Sequence, residues 1–400
     1  MKKLLLIAAL AALSSPAFAS KARVTALGNA DHLVDTQTVF DNPAHLTLMG
    51  DYVTFEAGPT TATASTVTPG TTKYSDLMVA NNPNAEGGFV RSSGDAKYMA
   101  YLGRRSPFTQ TFRTMFGFLQ QENTIELQYA MKGAINWGVG LNYSSSDKKS
   151  GDNATTVAQK QQAAGVRLGA SADMWEGYAI IGLMSTAEGA TAANVLTGDA
   201  DGDDIVDGGE IAPIVLDATA KYKGTTGFKL GGAYKMENVR IFGKYYQDGF
   251  KYEGANTTYD GAELTQSQAD VGAVEYNKLE GGQWFYGASF QLYNSKFSRT
   301  GSESKTTATF LPFLVGVEYD AASWLTLRAS ATQNVLLGSY KVEDAAAPDE
   351  ANTIQQNTKV AAGLGLRFGK WVADGSWAAQ TTGNVNSTNF LTNLGMTYMF

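Results

Sequence analysis

The chain has 400 residues, of which 17% are charged, 43 are glycine and none is cysteine. The formal net charge of −7 argues against nucleic acid as a partner, and the lack of cysteine excludes disulfides, thiol chemistry and a lipoprotein anchor. Only two histidines are present, His32 and His45, and no common catalytic motif accompanies them. We therefore do not expect an enzyme.

Residues 1–19 have the pattern of a Sec signal peptide. Lys2 and Lys3 precede the apolar run LLLIAALAAL, and Ala17 and Ala19 flank Phe18 in a small-x-small cleavage site. This pattern predicts export and a mature chain that begins at Ser20. The apolar run is too short to cross a bilayer, and no later stretch offers the ~20 apolar residues of a transmembrane helix. Any membrane spanning therefore falls to strands.

Residues 20–50 do not alternate and predict a plug or periplasmic lead-in before the first strand, DYVTFEAG. The run ALGNA (residues 26–30) and the motif Asn42-Pro43-Ala44 resemble the start of the outer-membrane long-chain fatty-acid and hydrocarbon transporter family. The resemblance implies an N-terminal hatch inside a fourteen-stranded barrel. It departs from the family at His45, where a small residue is usual. On the residues alone, Asn-Pro can also simply turn the chain, because proline restricts the residue before it.

Residues 51–400 contain recurring segments of about ten residues with alternating hydrophobicity, separated in turn by short and long polar connections. This pattern predicts an all-β fold, a transmembrane, antiparallel, up-and-down β-barrel with a short N-terminal plug. About 16 strands are expected, with 14 as the alternative, since such barrels have even numbers. For the count to close, TFRTMFGFLQ (residues 111–120) has to be an upward strand.

The connections predict the orientation, because short turns face the periplasm and long loops face outward. The short connections lie at residues 132–133, 172–175, 236–237, 280–282, 320–322 and 369–370. The long connections lie near residues 59–95, 146–159, 187–222, 253–268, 337–355 and 382–388.

The inward faces of the predicted strands are mostly amides, hydroxyls and glycines, which favours a water-filled lumen. An ionised side chain on the lipid face costs several kcal/mol, about 2–4 near the midplane, so charges in the strands should point inward. The candidate pore-lining charges are Arg167, Lys229, Arg240, Lys244, Arg328, Lys359, Arg367, Glu126 and Glu318. Their excess of base predicts a weak anion preference. The alternative is that several of these bases lie at the periplasmic rim or pair with loop carboxylates.

The long loop at residues 187–222 contains a calcium-type motif, GDADGDDIVDGGEI. Oxygen ligands stand at the EF-hand positions 1, 3, 5, 7, 9 and 12. They are Asp199, Asp201, Asp203, Ile205, Asp207 and Glu210. Position 6 is Asp204 instead of glycine, which requires a positive φ or a distorted loop. We predict a weak structural Ca²⁺ site; the alternative is an acidic loop that binds no metal.

The chain ends NFLTNLGMTYMF, with Leu394, Met396, Tyr398 and Phe400 on one face of the last strand. A final strand closing on an aromatic residue resembles the terminal signature of bacterial outer-membrane β-barrels. The resemblance implies recognition of Phe400 by the barrel-assembly machinery and, after Sec export, a place in the Gram-negative outer membrane among lipid and lipopolysaccharide. The alternative is an edge strand of a soluble all-β protein.

Three functions fit these features. The first is a porin-like channel for passive diffusion of small hydrophilic solutes, for which similarity to porins implies a homotrimer. The second is a hydrophobic-compound transporter with an N-terminal hatch and an apolar pocket, supported by inward Phe242, Tyr246 and Phe285. The third is a structural or adhesive surface protein.

Overall fold

The sheet of this computed structural model is one closed antiparallel β-barrel of 16 strands. The structure describes residues 20–57, 85–108, 113, 116–149, 158–190, 193–196, 211–214, 217–255, 260–337, 340–344, 350–352, 357–380 and 393–400. Each strand pairs with the next along the chain, and β1 pairs with the last strand through Tyr52 opposite Met399. Because the sheet closes, every strand has a neighbour on each side to which its backbone can hydrogen-bond, as a barrel in lipid requires. The predicted fold class and the preferred strand number are confirmed.

The barrel strands vary from 6 to 21 residues in length. Three of them, β8, β13 and β14, are each described in two stretches. The strands are β1 (Tyr52–Ala57), β2 (Glu86–Ser93), β3 (Ala96–Leu102), β4 (Ile125–Met131), β5 (Asn136–Lys148), β6 (Gln159–Ser171), β7 (Trp175–Ala190), β8 (Asp217–Gly224 and Phe228–Lys235), β9 (Val239–Glu253), β10 (Glu263–Leu279), β11 (Gly282–Arg299), β12 (Ser302–Ala322), β13 (Leu325–Leu336 and Tyr340–Asp344), β14 (Glu350–Asn352 and Asn357–Phe368), β15 (Trp371–Gln380) and β16 (Asn393–Met399). A separate hairpin, Ala193–Leu196 with Ile211–Ile214, lies in the loop after β7.

Two predictions for the first third of the chain are wrong. The long loop expected at residues 59–95 ends earlier, because β2 begins at Glu86 and turns into β3 at Gly94, where φ is +61°. The third strand is Ala96–Leu102, and the described residues of TFRTMFGFLQ, 113 and 116–120, form no strand but lie inside the barrel. Several strands also extend into the predicted long loops, because strand ends beyond the apolar belt carry polar residues that resemble loop sequence.

The outer surface of the barrel is apolar and its inner surface is polar or packed against other parts of the chain. Leu127, Leu141, Phe290 and Leu327 point outward and are exposed, whereas their neighbours Glu126 and Arg328 are buried. Aromatic side chains cluster on the outer face near the short turns, as in the interfacial girdles of membrane barrels. They include Trp137, Trp175, Trp284, Trp324, Trp371 and Phe400. None of the helices in the described ranges is long and apolar enough to cross a membrane.

Candidate functional site in the barrel lumen

The N-terminal segment, residues 20–50, contacts the inner face of the barrel on nearly every side. It consists of helix α1 (Lys21–Ala26) and two 3-10 helices, Thr38–Phe40 and Pro43–Leu48. Helix α1 packs on β13, β14, β15 and β16, and the last 3-10 helix packs on β3, β4, β5 and β6. Ion pairs of the segment also reach β7, β8, β9 and β12. Most of these contacts lie near the short turns, so the segment occupies the half of the lumen that we predict to face the periplasm.

The Asn-Pro-Ala motif forms a tight turn against β5 and β6. Asn42 caps the 3-10 helix through its Oδ1 atom, which accepts from the Ala44 backbone nitrogen at 3.1 Å, while its Nδ2 atom donates to the Ala170 carbonyl at 3.2 Å. Pro43 follows at the first helical position, where its missing N–H costs nothing. A Cβ atom at Gly138 would lie 2.5 Å from the Pro43 carbonyl carbon, and one at Gly169 would overlap the Asn42 side chain. These glycines therefore create the space for the motif.

Apolar side chains of the segment enter two clusters with the barrel wall. Leu27, Ala30 and Leu33 are buried against Phe242 and Phe285. Val39, Phe40, Leu46 and Met49 are buried in a second cluster with wall residues of β1, β2, β3 and β4. Burial of this apolar surface favours the docked position of the segment, at roughly 25 cal/mol per Å² removed from water.

One group of buried charges, the β12–β15 charge cluster, ties helix α1 to the wall. Arg23 donates to both oxygens of Glu318 at 2.7 and 2.8 Å and also approaches Asp35 at 3.4 Å. Arg328 bridges Glu318 at 2.8 Å and Asp374 at 2.6 Å. The paired, planar geometry of arginine with carboxylate is the strong form of such contacts. Two arginines thus share three carboxylates of the segment and wall.

A second group, the β7–β9 charge cluster, lies across the lumen from the first. Arg240 binds Asp31 of the segment at 2.8 Å and Glu176 of the wall at 2.7 Å. Lys244 also pairs with Asp31, and His45 of the segment reaches Glu176 at 3.3 Å. Asp31 and His45 therefore connect two separate parts of the segment to the same pair of strands.

Most predicted pore-lining charges face inward but are already paired. Lys229 binds Asp41 of the segment at 2.7 Å, and Arg167 binds Glu126 at 2.6 Å and the Phe40 carbonyl. Arg367 pairs with Asp320 at the periplasmic rim, at 3.5 Å. Lys359 has no ion pair within the described residues. The predicted cations thus mostly hold the segment or each other's carboxylates, an arrangement that sequence phase alone could not reveal.

Burial shifts the titration of groups on the N-terminal segment. Burial raises the pKa of Asp31, but Lys244 and Arg240 outweigh it and hold this pKa below its usual value. Asp35 is buried more completely, and its pKa is raised despite Arg23. Burial, helped by the positive charge of Arg23, lowers the pKa of His32 to about 4. Because of this low pKa, His32 is neutral at ordinary pH. Its ring stacks on Tyr276 with centroids 5.1 Å apart.

Between β3 and β4, the described residues 103–108, 113 and 116–124 enter the extracellular half of the lumen; we call this connection the inward loop. Phe116 and Phe118 are buried against an aromatic wall formed by Tyr222, Phe250 and Tyr252, with Phe116 and Phe250 centroids 5.4 Å apart. Arg113 anchors the loop by donating to the Ser185 hydroxyl at 2.8 Å and by lying 5.0 Å from the Tyr222 ring centre. The apolar run around residue 116 is thus a packed loop, which explains its resemblance to a strand.

The predicted calcium loop, residues 199–210, lies outside the described residues. Among the described residues, no group of three or more His, Cys, Asp or Glu side chains is arranged to hold a metal ion. The calcium site stays a prediction from sequence.

Neither the family models nor the curated proteins match this chain. Solved structures do. The chain is similar to the Ralstonia pickettii toluene transporter TbuX (12% identity, covering 96% of this chain and 99% of that one, TM-score 0.39). It is similar to a Pseudomonas aeruginosa FadL homologue (13% identity, 95% and 96% covered, TM-score 0.42). It is also similar to a porin (10% identity, 88% and 99% covered, TM-score 0.36).

The architecture of the chain itself defines its class. A closed antiparallel barrel of even strand number, with an apolar outer belt and aromatic side chains near the short turns, is the architecture of an outer-membrane β-barrel.

Proposed function

We propose that the protein transports small hydrophobic molecules across the outer membrane through a barrel closed at its periplasmic end by the N-terminal segment. The observation that carries this proposal is that inward-facing cations of the wall are paired with carboxylates of the N-terminal segment. Arg240, Lys244 and Lys229 pair with Asp31 and Asp41 of the segment. An anion-selective pore needs such cations to face the passing ion, and here the segment neutralises them.

The extracellular half of the lumen supports a hydrophobic substrate. Tyr222, Phe250 and Tyr252 present a continuous aromatic surface that Phe116 and Phe118 of the inward loop cover. Pockets for small ligands are typically lined by such apolar and aromatic side chains with a few polar groups. A solute of similar size and polarity to a phenyl ring fits the place of Phe116 when the loop moves. The substrate class we propose is therefore small and apolar, with aromatic compounds included.

A porin for hydrophilic solutes is the second candidate, and two observations favour it. Sixteen strands are a number found in porins with aqueous channels. The inner face of β10 and β11 also carries amides, Gln268 and Gln291, that are only half-buried. In this alternative the N-terminal segment narrows the lumen without closing it, and the weak anion preference comes from cations such as Lys359.

Uptake by cells discriminates between the two candidates. The protein is expressed in a Gram-negative strain that lacks its own general porins, and entry of radiolabelled toluene and arabinose is followed. We expect faster toluene entry and unchanged arabinose entry. Phe250→Ala should abolish the gain, whereas the lipid-facing Phe290→Ala should keep it. Faster arabinose entry alone would favour the porin, and no gain for either solute would contradict both candidates.

A further inference from the structure

Ser20, the predicted first residue of the mature chain, lies deep inside the barrel. Its exposed fraction is 0%, and a Cβ atom on Gly395 of β16 would overlap its side chain. Helix α1, which begins at the next residue, packs on β14, β15 and β16 of the wall.

Two buried carboxylates accept hydrogen bonds from Ser20 and the residue after it. Its hydroxyl donates to the Asp374 Oδ2 atom at 3.3 Å, and the backbone nitrogen of the next residue, Lys21, donates to the Glu56 Oε2 atom at 3.0 Å. Glu56 is 3% exposed, and its other contact is the neutral amide of Gln37 at 2.6 Å. Within the described part of the chain, Glu56 is therefore a buried carboxylate without an ion pair of its own.

Two groups of buried charges lie next to Ser20. The first is the β12–β15 charge cluster, in which Arg23 and Arg328 meet Asp35, Glu318 and Asp374. In the second, Glu86 binds Lys21 at 2.6 Å and Arg104 at 3.0 Å, and Glu56 lies directly opposite Glu86 on the neighbouring strand. Together the two groups hold five carboxylates and four cations, and an uncompensated buried charge is costly.

We propose that the missing charge is the α-ammonium group of Ser20, released when the Ala19–Ser20 peptide bond is cleaved. Hydrolysis by a signal peptidase consumes one water: Ala19 leaves with a carboxylate, and the Ser20 nitrogen takes up a proton. A free α-amino group has a pKa of about 7.7–8.0 and is mostly charged at neutral pH. The new ammonium lies between Glu56 and Asp374, so processing creates a structural cation that fixes the segment to β1 and β15. This inference is independent of what the barrel transports.

Chemical labelling of the purified mature protein tests the position of the amine. The protein, isolated from outer membranes, is treated with N-hydroxysuccinimide acetate at neutral pH, and labelling is quantified by peptide mass spectrometry. We expect a chain that starts at Ser20 and an α-amine that labels about tenfold more slowly when folded than when heat-unfolded, because reaction requires local opening. The exposed Lys251 is the internal control and should label equally in both states. Equal labelling of the α-amine in both states, or a different first residue, would overturn the proposal.

A one-residue extension tests the role of the charge. Inserting glycine between Ala19 and Ser20 moves the ammonium away from Glu56 after cleavage, and should lower the thermal midpoint of the mature protein. Ser20→Gly keeps the amine in place and should have a smaller effect. In a Glu56→Gln background the extension should cost much less, because the unpaired carboxylate is already gone. Strictly additive effects of the extension and Glu56→Gln would show that the amine does not pair with this carboxylate.

Discussion

The two halves of the lumen hold their inserted segments by different contacts. In the periplasmic half the N-terminal segment is held by buried ion pairs, among them Arg23–Glu318 and Arg240–Asp31. In the extracellular half the inward loop is held mainly by aromatic packing of Phe116 and Phe118. The strength of an ion pair depends on the protonation of both partners and is lost when either is removed. The strength of aromatic packing depends on the shape and volume of the side chains. We therefore expect charge changes to weaken the docking of the N-terminal segment but not that of the inward loop, whereas volume changes can weaken either.

Filling the space under the Asn-Pro-Ala turn should have the largest effect on the periplasmic closure. Gly169→Val places side-chain atoms where the Asn42 amide lies, so the segment cannot dock. We expect solute flux through the barrel to rise about tenfold, the equivalent of ~1.4 kcal/mol in the closed state. Osmotic swelling of liposomes with arabinose measures this flux.

The matched control for this change is Gly177→Val. Gly177 lies on β7, and a Cβ atom at this position would lie 3.7 Å from its nearest neighbour, the Gly231 carbonyl oxygen, so a side chain fits. Its flux should equal that of the wild type. If Gly169→Val also stays at the wild-type flux while the barrel keeps its heat-modifiable migration on gels, the segment does not close the lumen.

Removing the arginine at the centre of the β12–β15 charge cluster should have the largest effect on the stability of the folded protein. Arg328→Met leaves Glu318 and Asp374 close together without their shared cation, and Arg328 is only 1% exposed at its side chain. Breaking one partner of such a buried pair costs about 3–5 kcal/mol. The rim pair offers the control: Arg367→Met should cost below about 1 kcal/mol, because exposed pairs are weak. Thermal unfolding in detergent micelles compares the two, and equal losses would contradict the account.

A smaller effect is expected when a buried aromatic side chain of the inward loop is shortened. Phe118→Leu removes part of a buried ring and should cost about 1 kcal/mol, with no change in pH dependence. The lipid-facing Phe55, 59% exposed, is the matched site for the same substitution. Protection of the inward loop from proteolysis is the measurement. A loss of protection that varies with pH would show that charge, and not packing, holds this loop.

A further expected effect concerns pH. Because the pKa of His32 is lowered to about 4 from 6.5, its charged form is disfavoured in the docked segment. The released segment binds more protons between these values, so docking weakens as pH falls from about 6.5 towards 4. His32→Phe should reduce this acid sensitivity, measured as arabinose flux at pH 7.5 and 5. An unchanged flux profile in His32→Phe would assign the acid sensitivity to other groups.

The strands could be predicted from sequence wherever the lumen-facing residues are polar. In β5 and β11 the alternation of apolar and polar residues identified both faces, since Trp137, Leu141, Phe290 and Leu292 are exposed as expected. The pattern fails at β3, where inward Met99 and Tyr101 are apolar because they pack on the N-terminal segment. It also fails in the inward loop, whose buried aromatic residues imitate a strand.

The charges of the lumen illustrate the other limit of sequence reasoning. The alternation of residues along a strand indicates that Arg240 and Arg328 point inward, but it does not indicate which residues they contact there. Their partners lie far away in the chain: Asp31 is over two hundred residues from Arg240. Only folding brings them together, and it converts a predicted basic pore into a set of paired charges. The Asn42-Pro43-Ala44 motif could be found from sequence, whereas the glycines that receive it could not.

Single-channel recording of the wild-type protein in a planar bilayer, with a salt gradient across it, tests the central claim most directly. If the N-terminal segment closes the periplasmic half of the lumen, the wild-type protein should show no stable open steps. Stable open steps with a reversal potential towards chloride would contradict the account, and would establish an open pore whose cations face the passing ions.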